Sequence, residues 1–181
     1  MDDLGGDPVL HSSDFGIRAA GSNRFIVGIS MGDILFETFF VGFAFLSQIF
    51  LALNFASRNW KPSLERKYGW VVYALGIPAA LLGVYYWVNG VPWHFTIAPI
   101  LFSTWALYGY YVDIIREINW RSPPTWPVFI PYVTLYMASQ FSFWIPLWSI
   151  GLGYWIAFSM LYILNTSLNL YSHRKIDESI C

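Results

Sequence analysis

The chain has 181 residues, of which 56% are apolar, 20% aromatic and only 12% charged, and its formal net charge is −1. Its mean hydropathy is +0.48. A soluble globular domain carries about twice this share of charged residues, so the composition excludes a water-soluble enzyme and a disordered tail. The near-neutral charge provides no basic surface for nucleic acid. The class that remains is a membrane protein with several spans.

Five apolar runs are long enough for the roughly 20 residues that a transmembrane helix needs. We predict spans at about 33–56, 68–88, 95–113, 127–147 and 151–172. The connection between the last two runs is so short that these helices must be antiparallel neighbours. Residues 1–32 form a segment outside the membrane, in which 14–30 are a loop or a short interfacial helix, and residues 173–181 form a cytoplasmic tail. The predicted fold class is an all-α integral membrane protein, a five-transmembrane-helix bundle.

The basic residues indicate how the chain is oriented. Arg58, Lys61, Arg66 and Lys67 follow span one, Arg116 and Arg121 follow span three, and Arg174 and Lys175 follow span five. Because loops rich in Lys and Arg remain in the cytoplasm, we predict that the N-terminus is outside and the C-terminus is cytoplasmic. The predicted location is the plasma (inner) membrane. The acidic start of the chain does not resemble the basic start of a signal peptide.

The inventory of reactive residues excludes most membrane chemistries. The single cysteine, Cys181, is the last residue, so a disulfide within the chain and a CxxC pair are excluded. His94 and His173 lie at opposite membrane faces and cannot pair as haem ligands, and clusters with metal-ligand spacing are lacking. We therefore predict no catalytic residues, no metal site and no cofactor. This favours a protein that is not an enzyme, and a lipid-processing site built from amides and tyrosines stays open.

Ionisable and amide side chains inside a span are default candidates for function. In span one, Glu37 and Gln48 lie on nearly the same helical face. Glu37 is either the outer mouth of a polar path or an acid that the helix macrodipole favours near a helix start. Span five carries a polar stripe at steps of three or four residues: Ser159, Tyr162, Asn165, Thr166, Asn169 and His173. This stripe either joins helices by hydrogen bonds or lines a cytoplasm-facing cavity, with Gln140 or Asn54 opposite.

Most Trp and Tyr residues are expected at the membrane interfaces, where such rings accumulate, and we assign Tyr86 to the outer belt. Five aromatic residues fall inside the spans instead: Tyr73, Trp105, Tyr108, Tyr136 and Tyr162. They either pack in the core or line an aromatic pocket for a lipid-like or planar ligand. With the polar groups they give the candidate ligand-binding set Trp105, Tyr108, Tyr136, Gln140, Tyr162, Asn165, Asn169, Gln48 and Glu37.

Small residues form a stripe on span two, where Gly69, Gly76, Gly83 and Gly90 recur at seven-residue intervals. Small side chains let helices approach closely in a membrane. We interpret the stripe as a packing face within the bundle. The alternative is that this face contacts a second copy of the chain or another membrane protein.

Three functions are compatible with these observations. The first is a bundle that binds or translocates a lipid-like or other apolar or amphipathic small molecule. The second is a non-catalytic subunit or assembly factor of a larger membrane complex, and the third is an ion or proton pathway through Glu37. The interior aromatics, the polar stripe and the prolines inside the spans, which kink helices, favour the first. The expected partners include membrane lipids and exclude nucleic acid.

Overall fold

The computed structural model describes residues 31–118 and 125–178, and every regular element in that part of the chain is a helix. The helices are α1 (Met31–Trp60), α2 (Pro62–Tyr68), α3 (Trp70–Ala74), α4 (Gly76–Val88), α5 (Trp93–Tyr110), α6 (Trp126–Ile150) and α7 (Leu152–Glu178). A π-helical turn at Tyr111–Ile115 extends α5. The predicted interfacial helix within 14–30 lies outside the described residues.

Three helical stretches are long and apolar enough to cross a membrane: Ile34–Trp60, Ser63–Val88 and Trp126–Ile150. They correspond to the first, second and fourth predicted spans, in agreement with a helical membrane protein. The remaining long helices, α5 with 18 residues and α7 with 27, are also of spanning length. Both are less apolar than the other three stretches.

The second predicted span, 68–88, lies within a rod of three helical segments, α2, α3 and α4, which begins at Pro62. Single residues, Gly69 and Leu75, separate the segments, and both keep right-handed helical dihedral angles. Pro78 accounts for the interruption at Leu75, because a proline ring collides with the carbonyl group four residues earlier, here that of Ala74. The interruptions are mild, since Ser63–Val88 still forms one helical stretch.

Taken in chain order, α1, the rod, α5, α6 and α7 each pack antiparallel to the next. Gly151 alone separates α6 from α7, as the short connection in the sequence predicts. Lys61 alone joins α1 to the rod, which returns along α1 so that the hydroxyl group of Tyr86 donates to the carbonyl oxygen of Phe36 at 2.8 Å. Tyr86 is therefore buried within the bundle, and the prediction that it belongs to an interface belt is wrong.

The first and last helices run parallel to each other. The ring centroids of Phe45 on α1 and Phe158 on α7 lie 6.3 Å apart. Further along both helices, the side-chain amide of Asn59 donates to the backbone carbonyl of Leu168 at 3.0 Å. Because α7 packs along α1 in the same direction, the two ends of the chain of helices meet and the bundle closes.

Phenylalanine rings from four helices fill the centre of the bundle. Phe40 and Phe43 of α1, Phe102 of α5, Phe143 of α6 and Phe158 of α7 are all buried. The ring of Phe143 lies 5.5–6.4 Å from the other four, measured between centroids. Aromatic pairs of this kind add about 0.5–1.5 kcal/mol each beyond the burial of their surface. The centre is therefore filled, and a ligand site has to lie beside this cluster.

Two glycines of the predicted packing stripe bring α4 close to α5. A Cβ atom at Gly76 would lie 2.8 Å from Cβ of Ala106, and one at Gly83 would lie 2.8 Å from Cγ1 of Ile100. Carbon atoms in normal contact are about 3.5–4.0 Å apart, so larger residues would push the helices apart. The packing interpretation is confirmed at these two positions. Contact with a second copy through the stripe stays a prediction.

Candidate functional site

An amide cluster links α1, α6 and α7 inside the bundle. The amide of Gln48 donates to the side-chain oxygen of Gln140. The amide of Asn165 donates to the side-chain oxygen and to the backbone carbonyl of Gln48, at 2.5 and 3.1 Å. The amide of Gln140 also reaches the hydroxyl group of Ser139 at 3.4 Å. All of these residues are buried, so the hydrogen bonds are made where an unpaired polar group costs about 1–3 kcal/mol.

The amide cluster gives Gln48, Gln140 and Asn165 a structural role. It joins three helices by hydrogen bonds between buried side chains, which agrees with the interpretation of Asn165 as a hydrogen-bonding link between helices. The side-chain oxygen of Asn165 is buried and has no hydrogen-bond partner within residues 31–118 and 125–178. The side chain of His173, predicted at the end of the same polar stripe, lies outside the described residues.

A cavity of about 380 Å³ opens between α1, α5, α6 and α7, beside the amide cluster. Its walls are formed by Phe55, Arg58, Trp105, Phe129, Tyr132, Val133, Tyr136, Met137, Thr166, Asn169 and Leu170. Three of these, Trp105, Tyr136 and Asn169, belong to the set of ligand-binding residues predicted from the sequence. The volume falls within the range of about 300–1,000 Å³ that is usual for small-molecule sites. We refer to this space as the inner cavity.

The charged and amide side chains of the inner cavity are confined to one end of its wall. Arg58 lies in the last turn of α1, Phe129 in the first turn of α6, and Asn169 in the second half of α7. Tyr136 follows Phe129 by seven residues on α6, a rise of about 10 Å, and Trp105 packs against it. The charged and amide groups therefore lie at one end of the cavity, together with the rings of Phe55 and Phe129, and Trp105 and Tyr136 line the other end.

Arg58 contributes the charge at the polar end. Its Nη2 atom lies 3.2 Å from Oε1 of Glu65, and its side chain is only 16% exposed. The guanidinium group also lies over the ring of Phe55, with its central carbon 5.8 Å from the ring centroid. A guanidinium has five N–H donors, so the ion pair with Glu65 leaves others available for a ligand.

Two buried donors belong to residues of the cavity wall and lack partners. The indole Nε1 of Trp105 and the hydroxyl group of Tyr136 make no hydrogen bond within the described part of the chain. Their ring centroids are 5.5 Å apart. Tyr and Trp usually find a hydrogen-bond partner when they are buried, and an unmet donor costs about 1–3 kcal/mol. Each of the two atoms exposes less than 1 Å² of surface, so a bound molecule reaches it only after the ring turns toward the cavity.

The aromatic wall is held from behind by a hydrogen-bonded group at the end of α5. The hydroxyl group of Tyr73 donates to the carboxylate of Asp113 and lies 3.4 Å from the hydroxyl group of Tyr132. The ring of Trp105 lies 6.0 Å from that of Tyr73 and 5.8 Å from that of Tyr132. Asp113 itself lies in the π-helical turn Tyr111–Ile115, a feature that is frequent at functional sites. These contacts fix the orientation of the Trp105 ring.

The remaining predicted residues lie away from the inner cavity. Tyr162 lines a smaller crevice of about 190 Å³ between α6 and α7, and its hydroxyl group approaches Sδ of Met137 at 3.0 Å. Tyr108 donates to a backbone carbonyl of α6 at 3.4 Å. Glu37 is exposed near the start of α1, whereas Gln48, on nearly the same helical face, is buried. The structure therefore separates Glu37 from the amide cluster.

Sequence reasoning missed several residues of the cavity wall. Arg58 was predicted in a loop because its charge marks the cytoplasmic side, but α1 continues through it to Trp60. Tyr132 precedes Tyr136 by four residues, one helical turn, and this spacing is the signal that could have identified it. Phe129 carries no comparable signal, since a phenylalanine in an apolar run indicates only burial.

Comparison with known proteins adds nothing to this geometry. No protein-family model, curated protein or solved structure matches the chain. The residues of the inner cavity and their chemistry are therefore the basis on which a function is inferred.

Proposed function

We propose that this protein is a five-span membrane protein that binds an amphipathic small molecule in the inner cavity. The observation that carries the proposal is the change along one cavity from Arg58 and Asn169 to the rings of Trp105 and Tyr136. The polar end suits a head group that accepts hydrogen bonds, such as a carboxylate. The aromatic end suits the apolar body of a lipid-like molecule. Mostly apolar walls with a few polar groups are typical of small-molecule sites.

The packing of the helices supports five crossings. The helices α5 and α7 pack in the same bundle as the three apolar stretches. An odd number of passes fits the parallel directions of α1 and α7 and the alternating directions of the neighbours between them. The four basic residues that follow span one favour a cytoplasmic position for the end of α1. The N-terminus is then outside, the C-terminus is inside, and the polar end of the inner cavity faces the cytoplasm in the plasma (inner) membrane.

A photoreactive fatty acid tests the proposal directly. The full chain is reconstituted in phosphatidylcholine vesicles with a fatty acid that carries a diazirine and an alkyne, and the labelled peptides are identified by mass spectrometry. We expect labelling on the first half of α6, around Val133, and on α7 near Leu170, because both line the cavity. An excess of oleic acid should compete for the site and suppress this labelling.

Two tryptophan substitutions distinguish labelling inside the cavity from labelling on the outer surface of the bundle. Val133→Trp fills the inner cavity and should abolish the competed labelling. Val84→Trp adds the same ring on the exposed face of α4 and should leave the labelling unchanged. Labelling that survives Val133→Trp, or that is not suppressed by oleic acid, would refute the proposal.

A tyrosine pair tests whether the unpartnered donors take part in binding. Tyr136→Phe removes a hydroxyl group from the cavity wall, and the half-saturating concentration of oleic acid should rise about 2- to 10-fold, as expected for one hydrogen bond. Tyr86→Phe makes the same chemical change in a buried residue that does not line the cavity, and should leave that concentration unchanged. Equal effects of the two variants would show that the Tyr136 hydroxyl does not contact the ligand.

A further inference from the structure

A second and larger concavity lies on the outside of the bundle, where α1 turns into the rod. An apolar groove of about 540 Å³ runs between the second half of α1 and helices α2 and α3. Leu53, Trp60, Leu64 and Tyr68 line it and are each 42–69% exposed. The groove therefore faces the surroundings of the bundle and not its core. We refer to it as the elbow groove.

The length of the elbow groove matches one leaflet of a bilayer. Phe50 and Trp60 both line it and are ten residues apart on α1, a rise of about 15 Å. This is half of the roughly 30 Å hydrocarbon core of a membrane. Because α1 and Ser63–Val88 are apolar enough to cross a membrane, lipid chains surround the groove. An acyl chain is therefore the occupant that its depth and apolar lining fit.

The turn that forms the groove is held in place by local contacts. Lys61 is the only residue between α1 and α2, and its backbone N–H donates to the carbonyl of Ser57 at 2.7 Å. The ion pair between Arg58 and Glu65, at 3.2 Å, bridges the turn. The two walls of the groove are thus fixed relative to each other.

Positive charge surrounds the end of the groove. Residues 58–68 contain four basic residues and one acid, Glu65, which is paired with Arg58. Lys61 lines the groove, and Arg66 and Lys67 are exposed on the adjoining helix. A basic cluster directly next to a membrane-spanning helix attracts anionic lipid head groups.

We propose that the elbow groove binds one anionic phospholipid, with an acyl chain along Leu53 and Leu64 and the phosphate at Lys61 and Lys67. Charge complementarity selects an anionic lipid over a zwitterionic one, and the exposed apolar lining selects a lipid over a soluble anion. The proposal uses residues that do not line the inner cavity, except that Arg58 of the cavity wall supports the turn. It does not depend on which side of the membrane the turn faces.

Native mass spectrometry tests this lipid site. The full chain, purified in detergent, is titrated with phosphatidylglycerol and with phosphatidylcholine of identical acyl chains. We expect one molecule of phosphatidylglycerol to be retained in preference to phosphatidylcholine. Lys61→Gln and Lys67→Gln should each weaken phosphatidylglycerol binding about fivefold and leave phosphatidylcholine binding unchanged. Arg116→Gln removes an exposed charge outside the groove and should have no effect on either lipid.

A steric pair tests the groove itself. Ala56→Phe fills the groove lining and should reduce the binding of phosphatidylglycerol, whereas Ala157→Phe, at an exposed site on α7, should not. The proposal is overturned if the wild type binds both lipids equally, if the preference survives in the Lys61→Gln/Lys67→Gln variant, or if the two Phe variants behave alike. A dimer that Ala56→Phe dissociates would assign the groove to a second copy and would also overturn it.

Discussion

Replacing Gly109 by alanine is expected to destabilise the bundle, although alanine is the better helix former. Gly109 is buried in α5, and a Cβ atom there would overlap Cε1 of Tyr73 and lie 3.1 Å from Cε2 of Tyr132. Since normal carbon contacts are about 3.5–4.0 Å long, the Tyr73 ring would have to move by roughly 1 Å. That ring is held by the hydrogen bond from its hydroxyl group to Asp113 and by its contact with Trp105.

The expected loss follows from three contributions to the free energy of unfolding. Overpacking of a well-packed site costs about 1–3 kcal/mol. Weakening the hydrogen bond between Tyr73 and Asp113 adds about 1 kcal/mol. The better helix propensity of alanine returns about 1 kcal/mol. The net expectation is a loss of about 1–3 kcal/mol for Gly109→Ala.

Titration with sodium dodecyl sulfate in mixed micelles, followed by circular dichroism, measures this free energy. Gly42→Ala is the matched control, because Gly42 is an exposed helical glycine and its Cβ would meet no atom within 4 Å. It should be neutral or stabilising by up to about 1 kcal/mol. In a Tyr73→Ala background the cost of Gly109→Ala should shrink by at least about 1 kcal/mol. Equal stability of Gly109→Ala and Gly42→Ala would refute the reasoning.

The same titration checks two further expectations. Gln48→Leu and Gln140→Leu should each cost about 1–3 kcal/mol, because each leaves a buried amide without its partner, and the double variant should lose less than the sum. Strictly additive losses would contradict the pairing. Tyr86→Phe removes the hydroxyl group that donates to the carbonyl oxygen of Phe36 at 2.8 Å, and should cost about 0.5–1.5 kcal/mol. A Tyr86→Phe variant as stable as the wild type would show that this hydrogen bond makes no net contribution.

The helices could be predicted from the sequence because their signals are local. The runs at 127–147 and 151–172 correspond to α6 and α7, and the short connection between them is the single residue Gly151. The ends extend beyond the apolar runs, to Trp60 in α1 and Glu178 in α7. Backbone hydrogen bonding continues past the edge of an apolar run. Hydropathy therefore predicts the ends of the apolar segment better than it predicts the ends of the helix.

The contacts of the candidate site could not be predicted in the same way. Asn165 contacts Gln48 because α7 lies parallel to α1. No local sequence pattern predicts that the first and last helices pack side by side. Whether a residue is buried likewise depends on which part of a neighbouring helix covers it. Tyr86 is buried because the end of the rod lies against the start of α1, whereas Glu37 on α1 is left exposed. Helical periodicity predicts the helix face on which a residue lies, but it does not predict which other helix packs against that face.

The contact between the first and last helices has a consequence for biosynthesis, because the chain is synthesised from its N-terminus. Gln48 is synthesised well before Gln140 and Asn165, the two residues that satisfy its amide group. An unpaired polar group in an apolar environment is costly, so Gln48 lacks its stabilising partners until α6 and α7 have been synthesised and packed against α1. A chain that ends before α7 leaves the side-chain oxygen of Gln48 without its hydrogen bond from Asn165.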